Sequence, residues 1–510
     1  MKKILGTAFL IAFVIAILVM SVKGNKGYPN SSELVSLSWT DDGPLELSPE
    51  RGRFALTYSL VENNSVFFDI DLARFATPDL GYYKGNYVSL FAPGVSIITL
   101  PGYYLGSYFN LSQVGVYLSI ALFGLLNVII IRTLSARLGA SSNAGWLAGF
   151  TFLFATPAFV YSGSLFQHQI STFLILLSSF IVLYSKKLWQ LLFVWFLIGI
   201  AFVVDYPNLI MMFPVSLFAV IKLIDVWSKD SKTYVKFKVL GITTLFGALI
   251  PLLFLLWFNN ESYGNPLTLS GVVTRVQEIT PQGEPVDRNV IVTSVDDTTP
   301  ANKSATGFFR TRNTLNGLYI HFFSPDRGIL FYTPVILLGI LGVPSLTKRN
   351  KNASILLISI LTLNITLYSL WGDPWGGWAF GSRYLVPSYA VLSIFLAIAL
   401  SNFRKNLIFI ILFIVLYIYS VGVNTLGVLT SSRNPPFVEI ANLELLSGKK
   451  EKYSYDRNLE FLEANKTKSF FYNTYLNRLI SAQEYYLYIY LSIVIVTGTL
   501  LTGLLLEKNK

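Results

Sequence analysis

From the N-terminus onward, apolar positions come in unbroken runs of about twenty residues, separated by polar stretches rich in Pro, Gly, Asn and Thr. A helix needs about 20 apolar residues to cross roughly 30 Å of hydrocarbon. About twelve runs meet that length, at 4–22, 112–131, 143–163, 166–185, 188–205, 207–224, 239–258, 328–346, 353–371, 384–402, 406–424 and 486–506. The pattern predicts a mainly α, polytopic membrane protein of about 12 transmembrane helices, with exterior loops and juxtamembrane helices. Lys2 and Lys3 precede the first run, as in a signal peptide. Met20-Ser21-Val22-Lys23 makes a poor cleavage site, however, so an uncleaved anchor is the expectation.

Composition agrees. Of 510 residues, 53% are apolar and only 13% charged, about half the usual share for a soluble domain. That balance excludes a disordered chain, a coiled coil and an ordinary soluble enzyme. There are no cysteines, hence no disulfide framework and no thiolate metal site.

The net charge of +11 acquires a meaning once it is placed on the spans. With the N-terminus cytoplasmic, the inner connections hold eighteen Lys and Arg, including Lys186, Lys187, Lys348, Arg349 and Arg404, and only three acids: Asp225, Asp230 and Glu507. Short basic inner connections are what the positive-inside rule requires. The surplus is therefore a topology signal, not a nucleic-acid signal, and both termini are expected on the cytoplasmic side of a cell membrane. Four exterior segments result, at 23–111, 259–327, 371–383 and 425–485, and residues 274–306 have the composition of a mobile flap. The expected organisation is a transmembrane domain over 1–424, an exterior segment over 425–485, and a last helix with a cytoplasmic tail over 486–510.

His168 and Asp205 lie near exterior ends of spans, and no Lys, Arg or Glu falls mid-span. Transporters and pumps place carboxylates at the bilayer midplane. Chemistry at the exterior face is expected instead. The rivals are a transporter or lipid-carrier flippase, and a non-catalytic scaffold.

The exterior segments hold the candidate residues. Ser48-Pro49-Glu50 reads as a helix start with Ser48 as N-cap, followed by a stripe that would lie along the membrane surface. Alone, Glu50 is a charge favouring the helix dipole, and Asp79 in Thr77-Pro78-Asp79 is a turn residue. Pro93 to Tyr104 looks like a short interfacial helix. Residues 371–385 place three Trp, four Gly, Asp373 and Arg383 between two spans. Interfacial Trp can be simple anchors. An Arg at that depth, however, can grip a phosphate with two parallel hydrogen bonds, and glycines permit close approach. The Trp375 and Trp378 faces suit sugar rings. Asp71, Tyr87 and His168 complete the expected substrate-binding set. Asp69 and Asp71 would face the same way in an extended segment, which leaves a divalent metal possible, although no metal site or cofactor is indicated.

In order and spacing these motifs resemble the polytopic GT-C glycosyltransferases, the family 39-like group related to protein O-mannosyltransferases and lipid A aminoarabinose transferases. The resemblance covers residues 1–400 in outline. It rests on Glu50-x-x-Arg53-Phe54-Ala55, the stretch from Asp79 to Pro101, Tyr161 to His168, Asp205-Tyr206-Pro207, Tyr263 to Leu267, Ser324 to Pro334 and Trp375 to Pro387. It implies a sugar moved from a polyprenyl-phosphate donor to a glycan, lipid or protein acceptor, with the bilayer as a partner. It also implies an acid after the first span acting on the acceptor. The family's acidic pair before Arg-Tyr is not intact here: Pro49 precedes Glu50, and only Glu50 carries over. Asp79 is the second candidate base, with Asp42, Asp69 and Asp71 as rivals. By the same resemblance Arg383, then Arg327, would hold the donor phosphate, aided by Lys84.

Overall fold

In the computed structural model, the described residues are 2–40, 43–229, 232–287, 290–291, 309–310 and 313–507. Asp42 and the whole of the stretch 292–308 lie outside them.

The apolar runs form helices. Seven are long and apolar enough to cross a membrane: Ile4–Ser21, Ser112–Arg137, Val239–Tyr263, Lys351–Ser369, Arg383–Phe403, Leu407–Leu429 and Ala482–Leu505. His168–Tyr184, Leu188–Val204 and Asn208–Ile221 are shorter apolar helices. Several predicted spans are interrupted, two of them beside a proline. The run 143–163 divides into Ser142–Phe154 and Ala158–Ser162 around Pro157, and 328–346 divides into Ile329–Tyr332, a 3-10 turn over Pro334–Gly342 and Val343–Arg349. Proline lacks the amide proton that an uninterrupted helix needs. The chain is a mainly α, polytopic membrane protein.

Helix faces show where lipid lies. Every residue from Val386 to Leu400 is buried, so that helix is the centre of the bundle. It packs against Ser112–Arg137, Ser142–Phe154, His168–Tyr184 and the Pro334–Gly342 turn. Val239–Tyr263 and Leu407–Leu429 instead expose Leu240, Phe246, Ile250, Ile408 and Val415. A continuous apolar exposure of that kind is stable only against lipid.

The connections collect at two ends. At one, which we term the cap end, the described parts of 23–111, 264–287, 313–327, 371–383 and 430–481 interlock. Leu80–Tyr83 and Asn86–Ser89 form a hairpin through Lys84 and Gly85, both at positive φ. Thr274–Val276 adds to its edge in antiparallel register, Leu80 opposite Val276. Two predicted exterior segments thus share one four-stranded sheet. The C-terminal segment returns to the first span, with Phe470 N donating to Val22 O and Ser469 Oγ to Met20 O. At the opposite end Arg349 bonds Gly139 O and Asn402, and Arg404 pairs with Glu507.

Three local expectations change. The helix spans Ser48–Glu62 with Leu47 as its N-cap, one residue earlier than expected, and Ser48 Oγ donates to Asp79 instead. The apolar stripe of that helix is packed inside the protein and not left open to lipid: Phe54, Ala55, Leu56, Thr57, Tyr58 and Ser59 are all buried, because further short helices enclose it. The interfacial piece after Pro93 is two helices, Gly94–Ile98 and Leu100–Tyr108, exposing Tyr104, Leu105 and Tyr108.

Candidate functional site

The buried Ser48–Glu62 helix supplies Glu50 and Arg53, three residues apart and therefore on neighbouring positions of one face. They enter different surroundings.

Glu50 is fully buried and saturated. Its carboxylate accepts from Leu165 N at 2.9 Å, from Leu47 N at 3.3 Å and from Tyr117 Oη at 3.5 Å. Beside it, Lys23 Nζ donates to Glu46 Oε2 at 2.5 Å and to Ser432 Oγ at 3.2 Å, and Ser432 N donates to the same Glu46 oxygen. Burial raises the Glu50 carboxyl, and Glu46 adds to the rise against the opposing pull of Lys23. Burial would raise Glu46 as well, but Lys23 and Lys468 hold it down at about 2. This cluster ties the first span, the segment that follows it and the C-terminal segment together.

Arg53 reaches the other way. Its Nη2 donates to Gln167 Oε1 at 2.8 Å, and Gln167 Nε2 donates to Asp205 Oδ2 at 3.2 Å. Its guanidinium sits 4.5 Å from the Phe91 ring centroid and 5.3 Å from that of Phe166. Arg383, on a different helix, approaches the same Phe166 ring at 4.6 Å and Tyr384 at 5.5 Å. The Tyr384 ring is stacked on Tyr368 at 4.3 Å. Gly376 allows this: at φ +72°, a Cβ there would meet Arg383 Nε at 2.9 Å.

Partners are missing here. Arg383 is 9% exposed, yet among the described residues its Nε and Nη1 have no hydrogen-bond partner; neither do Arg53 Nε and His168 Nε2, both buried. Among the described residues, neither arginine pairs with a carboxylate. Two buried like charges near one ring carry an electrostatic cost that an anion relieves. Burial pulls the Arg53 guanidinium down to about 10, with Asp205 opposing and Arg383 adding to the fall. Asp205, just past the end of its helix, is pushed up to about 6 by burial against the pull of Arg53, Gln167 and Arg383. The arrangement can bind a phosphate and, from Asp205, take up a proton near neutral pH.

The other expected residues are placed as follows. His168 stacks on Phe166 at 5.7 Å and 16°, inside this cluster. Asp79 stands at its rim, ion-paired with Arg275 at 2.8 Å and bonded by Ser48. Arg327 is already satisfied: it donates to the carbonyls of Trp375, Asp326, Gly377 and Asn434. Trp378 Nε1 bonds Glu439, with Arg433 and Arg457 against its ring, so it fastens the 371–383 segment to the C-terminal segment. Trp375 contributes its carbonyl to Arg327. Asp71 faces outward with Arg74, and Asp69 caps the helix Ile70–Ala76 through Leu72 N. Because that segment is helical, the expected shared face of Asp69 and Asp71 is absent. Lys84 lies at the hairpin turn beside the Tyr83 ring, and Tyr87 Oη donates to Gly283 O. Among the described residues no three His, Asp or Glu side chains gather as a metal site.

Sequence reasoning did not assign Arg53, Gln167, Asp205, Phe166 or Tyr384. Two signals were available: Arg53 follows Glu50 by one helical turn, and Asp205 is an acid closing an apolar run.

No family model and no curated protein matches the sequence. Among solved structures, the chain is similar to the apo crystal structure of ArnT from Cupriavidus metallidurans, at 12% identity and a TM-score of 0.44, over 99% of this chain and 78% of that one. A likeness that distant carries no argument about the site, whose reading rests on its own geometry.

Proposed function

We propose that the chain is an integral membrane glycosyltransferase that moves a sugar from a polyprenyl-phosphate donor to an acceptor hydroxyl or amine at the cap end, which faces the cell exterior. The observation that carries this reading is the pair Arg53 and Arg383 around Phe166, with buried donors that lack partners and a proton acceptor joined to them through Gln167. The donor phosphate takes up the free donors of Arg383 while its lipid tail remains between helices. The bond from the anomeric carbon to the phosphate oxygen breaks, and the electron pair leaves on the phosphate. The acceptor oxygen or nitrogen forms the new bond with inversion, and its proton passes to Asp205. Fixed cations at a developing phosphate charge stabilise the transition state most where water is excluded. General-base assistance contributes about 10²–10⁴-fold.

In this reading Asp205 is the base, Asp79 borders the acceptor path, and Glu50 holds the helix that carries Arg53. The test is turnover of a synthetic polyprenyl-phosphate sugar by purified protein, read as release of the lipid phosphate. Asp205→Asn should lower the rate by about 10²-fold or more, whereas Glu50→Gln keeps it. Loss with Glu50→Gln in a folded protein would return the base to Glu50. Passage of the lipid across the bilayer with no sugar release would make the protein a flippase.

A further inference from the structure

The opposite end of the bundle contains a second built site. Arg132 lies near the far end of the helix whose other end carries Tyr117, the partner of Glu50, and Arg404 follows the helix that begins at Arg383. About fifteen residues separate Tyr117 from Arg132, which at ~1.5 Å per residue is about 22 Å. Between these far ends is a cavity of about 1110 Å³. That is just above the usual range for ligand pockets, about 300–1,000 Å³.

Its lining has two chemistries. Arg132, Arg349 and Arg404 line it with Ser141, Asn143 and Asn402. Gly6 and Phe9 of the first span and Thr499 and Leu500 of the last form its apolar wall. Phe9 is 60% exposed, and its neighbours Ile4 and Leu5 are exposed as well, so this wall opens sideways toward hydrocarbon. Glu507 also lines the cavity, and it is paired with Arg404 at 3.2 Å. Arg132 and Arg349 have no carboxylate partner among the described residues. Arg132 lies against Trp146 at 5.7 Å and bonds Ser142, while among the described residues its buried Nε has no partner. Arg349 bonds only the neutral oxygens of Gly139 and Asn402. Two uncompensated guanidiniums therefore face a roomy, polar space whose open side is lipid. A soluble anion would use the charge but not the lateral apolar wall.

We infer that this cavity binds the phosphate headgroup of an anionic phospholipid, its acyl chains passing out between the first and last spans. Basic pockets between transmembrane helices select anionic headgroups in this way. The site is separate from the Arg53 and Arg383 cluster, and its occupancy does not depend on the proposed reaction.

The test uses the full chain in detergent, titrated with phosphatidylglycerol, phosphatidylcholine or inorganic phosphate, with lipid retention read by native mass spectrometry and stability by thermal unfolding. Phosphatidylglycerol should be retained and raise the unfolding temperature, while phosphatidylcholine and inorganic phosphate should do neither. Arg132→Gln with Arg349→Gln should weaken phosphatidylglycerol binding by about 30-fold, at roughly a tenfold change for each 1.4 kcal/mol and about 1 kcal/mol for each cation. Gly6→Phe keeps every charge and fills space that is open around the Gly6 Cβ position; it should also displace the lipid, and it carries the test if the double variant does not fold. Lys186→Gln with Lys187→Gln, outside the cavity, should bind as the parent does. Parent-like binding by both cavity variants overturns the site. So does equal loss in the lysine control, or an equal shift with inorganic phosphate alone.

Discussion

Two buried charged clusters at the cap end take residues from the same helix, yet they differ in how their polar atoms are served. Around Lys23, Glu46 and Glu50, each charge has its opposite or a set of amide donors, and three parts of the chain are fastened there. Around Arg53, Phe166 and Arg383, guanidinium nitrogens are buried without partners and two like charges share a ring. Burial alone therefore does not separate architecture from binding, since Glu50 is more buried than Arg383. Completeness of bonding does. A saturated buried charge holds the fold, whereas an unsaturated one stores a free-energy cost that a ligand removes.

The largest expected effect tests the saturated side. Lys23→Ala removes the ion pair of buried Glu46, leaving only the Ser432 donors and the Lys468 charge against its burial, and should cost about 3–5 kcal/mol of stability. Denaturant or thermal unfolding in detergent measures it; a parent-like curve would remove the distinction between the clusters. Because the folded Glu46 carboxyl is held at about 2, below its ordinary 4.5, its contribution is fully present above about pH 4.5. It drains away as pH falls toward 2, and Lys23→Ala should lose that acid dependence.

Next comes Arg383→Ala, expected to lower turnover by about 10²–10³-fold, as loss of one fixed donor to a developing anion does. Its unfolding temperature should fall far less than that of Lys23→Ala, because two of its buried guanidinium nitrogens have no hydrogen-bond partner to lose among the described residues. A collapse in stability comparable to Lys23→Ala would show Arg383 to be structural.

A smaller effect lies in pH. With Asp205 raised to about 6 in the folded chain, turnover should fall about tenfold per pH unit below that value. The stability sign is opposite to that of Glu46. The folded chain holds the Asp205 proton longer than the unfolded chain, so stability is lost as pH rises from 3.8 through about 6. Asp205→Asn should therefore raise the unfolding temperature near neutral pH and leave it unchanged in acid. An unchanged value at both would show that Asp205 is not desolvated.

The smallest effect is at the rim. The Asp79–Arg275 pair is partly exposed, and Arg275→Ala should cost under about 1 kcal/mol of stability. A change in acceptor KM without a change in donor KM would place Asp79 on the acceptor path.

Much of the fold was legible because transmembrane helices are local: each satisfies its own backbone, and only length and apolarity are required. The breaks at Pro157 and Pro334 follow from proline itself, although the runs did not announce them. The cap end was harder to read. The edge pairing of Leu80 with Val276 joins residues nearly two hundred positions apart, and no pattern in either segment specifies it. The surface-helix reading of residues 48–62 failed for the same reason, since what covers that helix comes from elsewhere in the chain.

The candidate residues divide along the same line. The sequence by itself determined that Arg383 lies at a span boundary among glycines, that Glu50 and Arg53 share a helix, and that the charges sort between the connections. Those properties depend on neighbours a few residues away. Only the tertiary structure decided that Arg327 is saturated by four carbonyls while Arg383 keeps unpaired nitrogens, and that Glu50 turns toward Lys23 and Glu46 while Arg53 turns toward Asp205. A side chain's role here is set by which donors and acceptors reach it, and those are delivered by helices distant in sequence, through packing that no local pattern encodes.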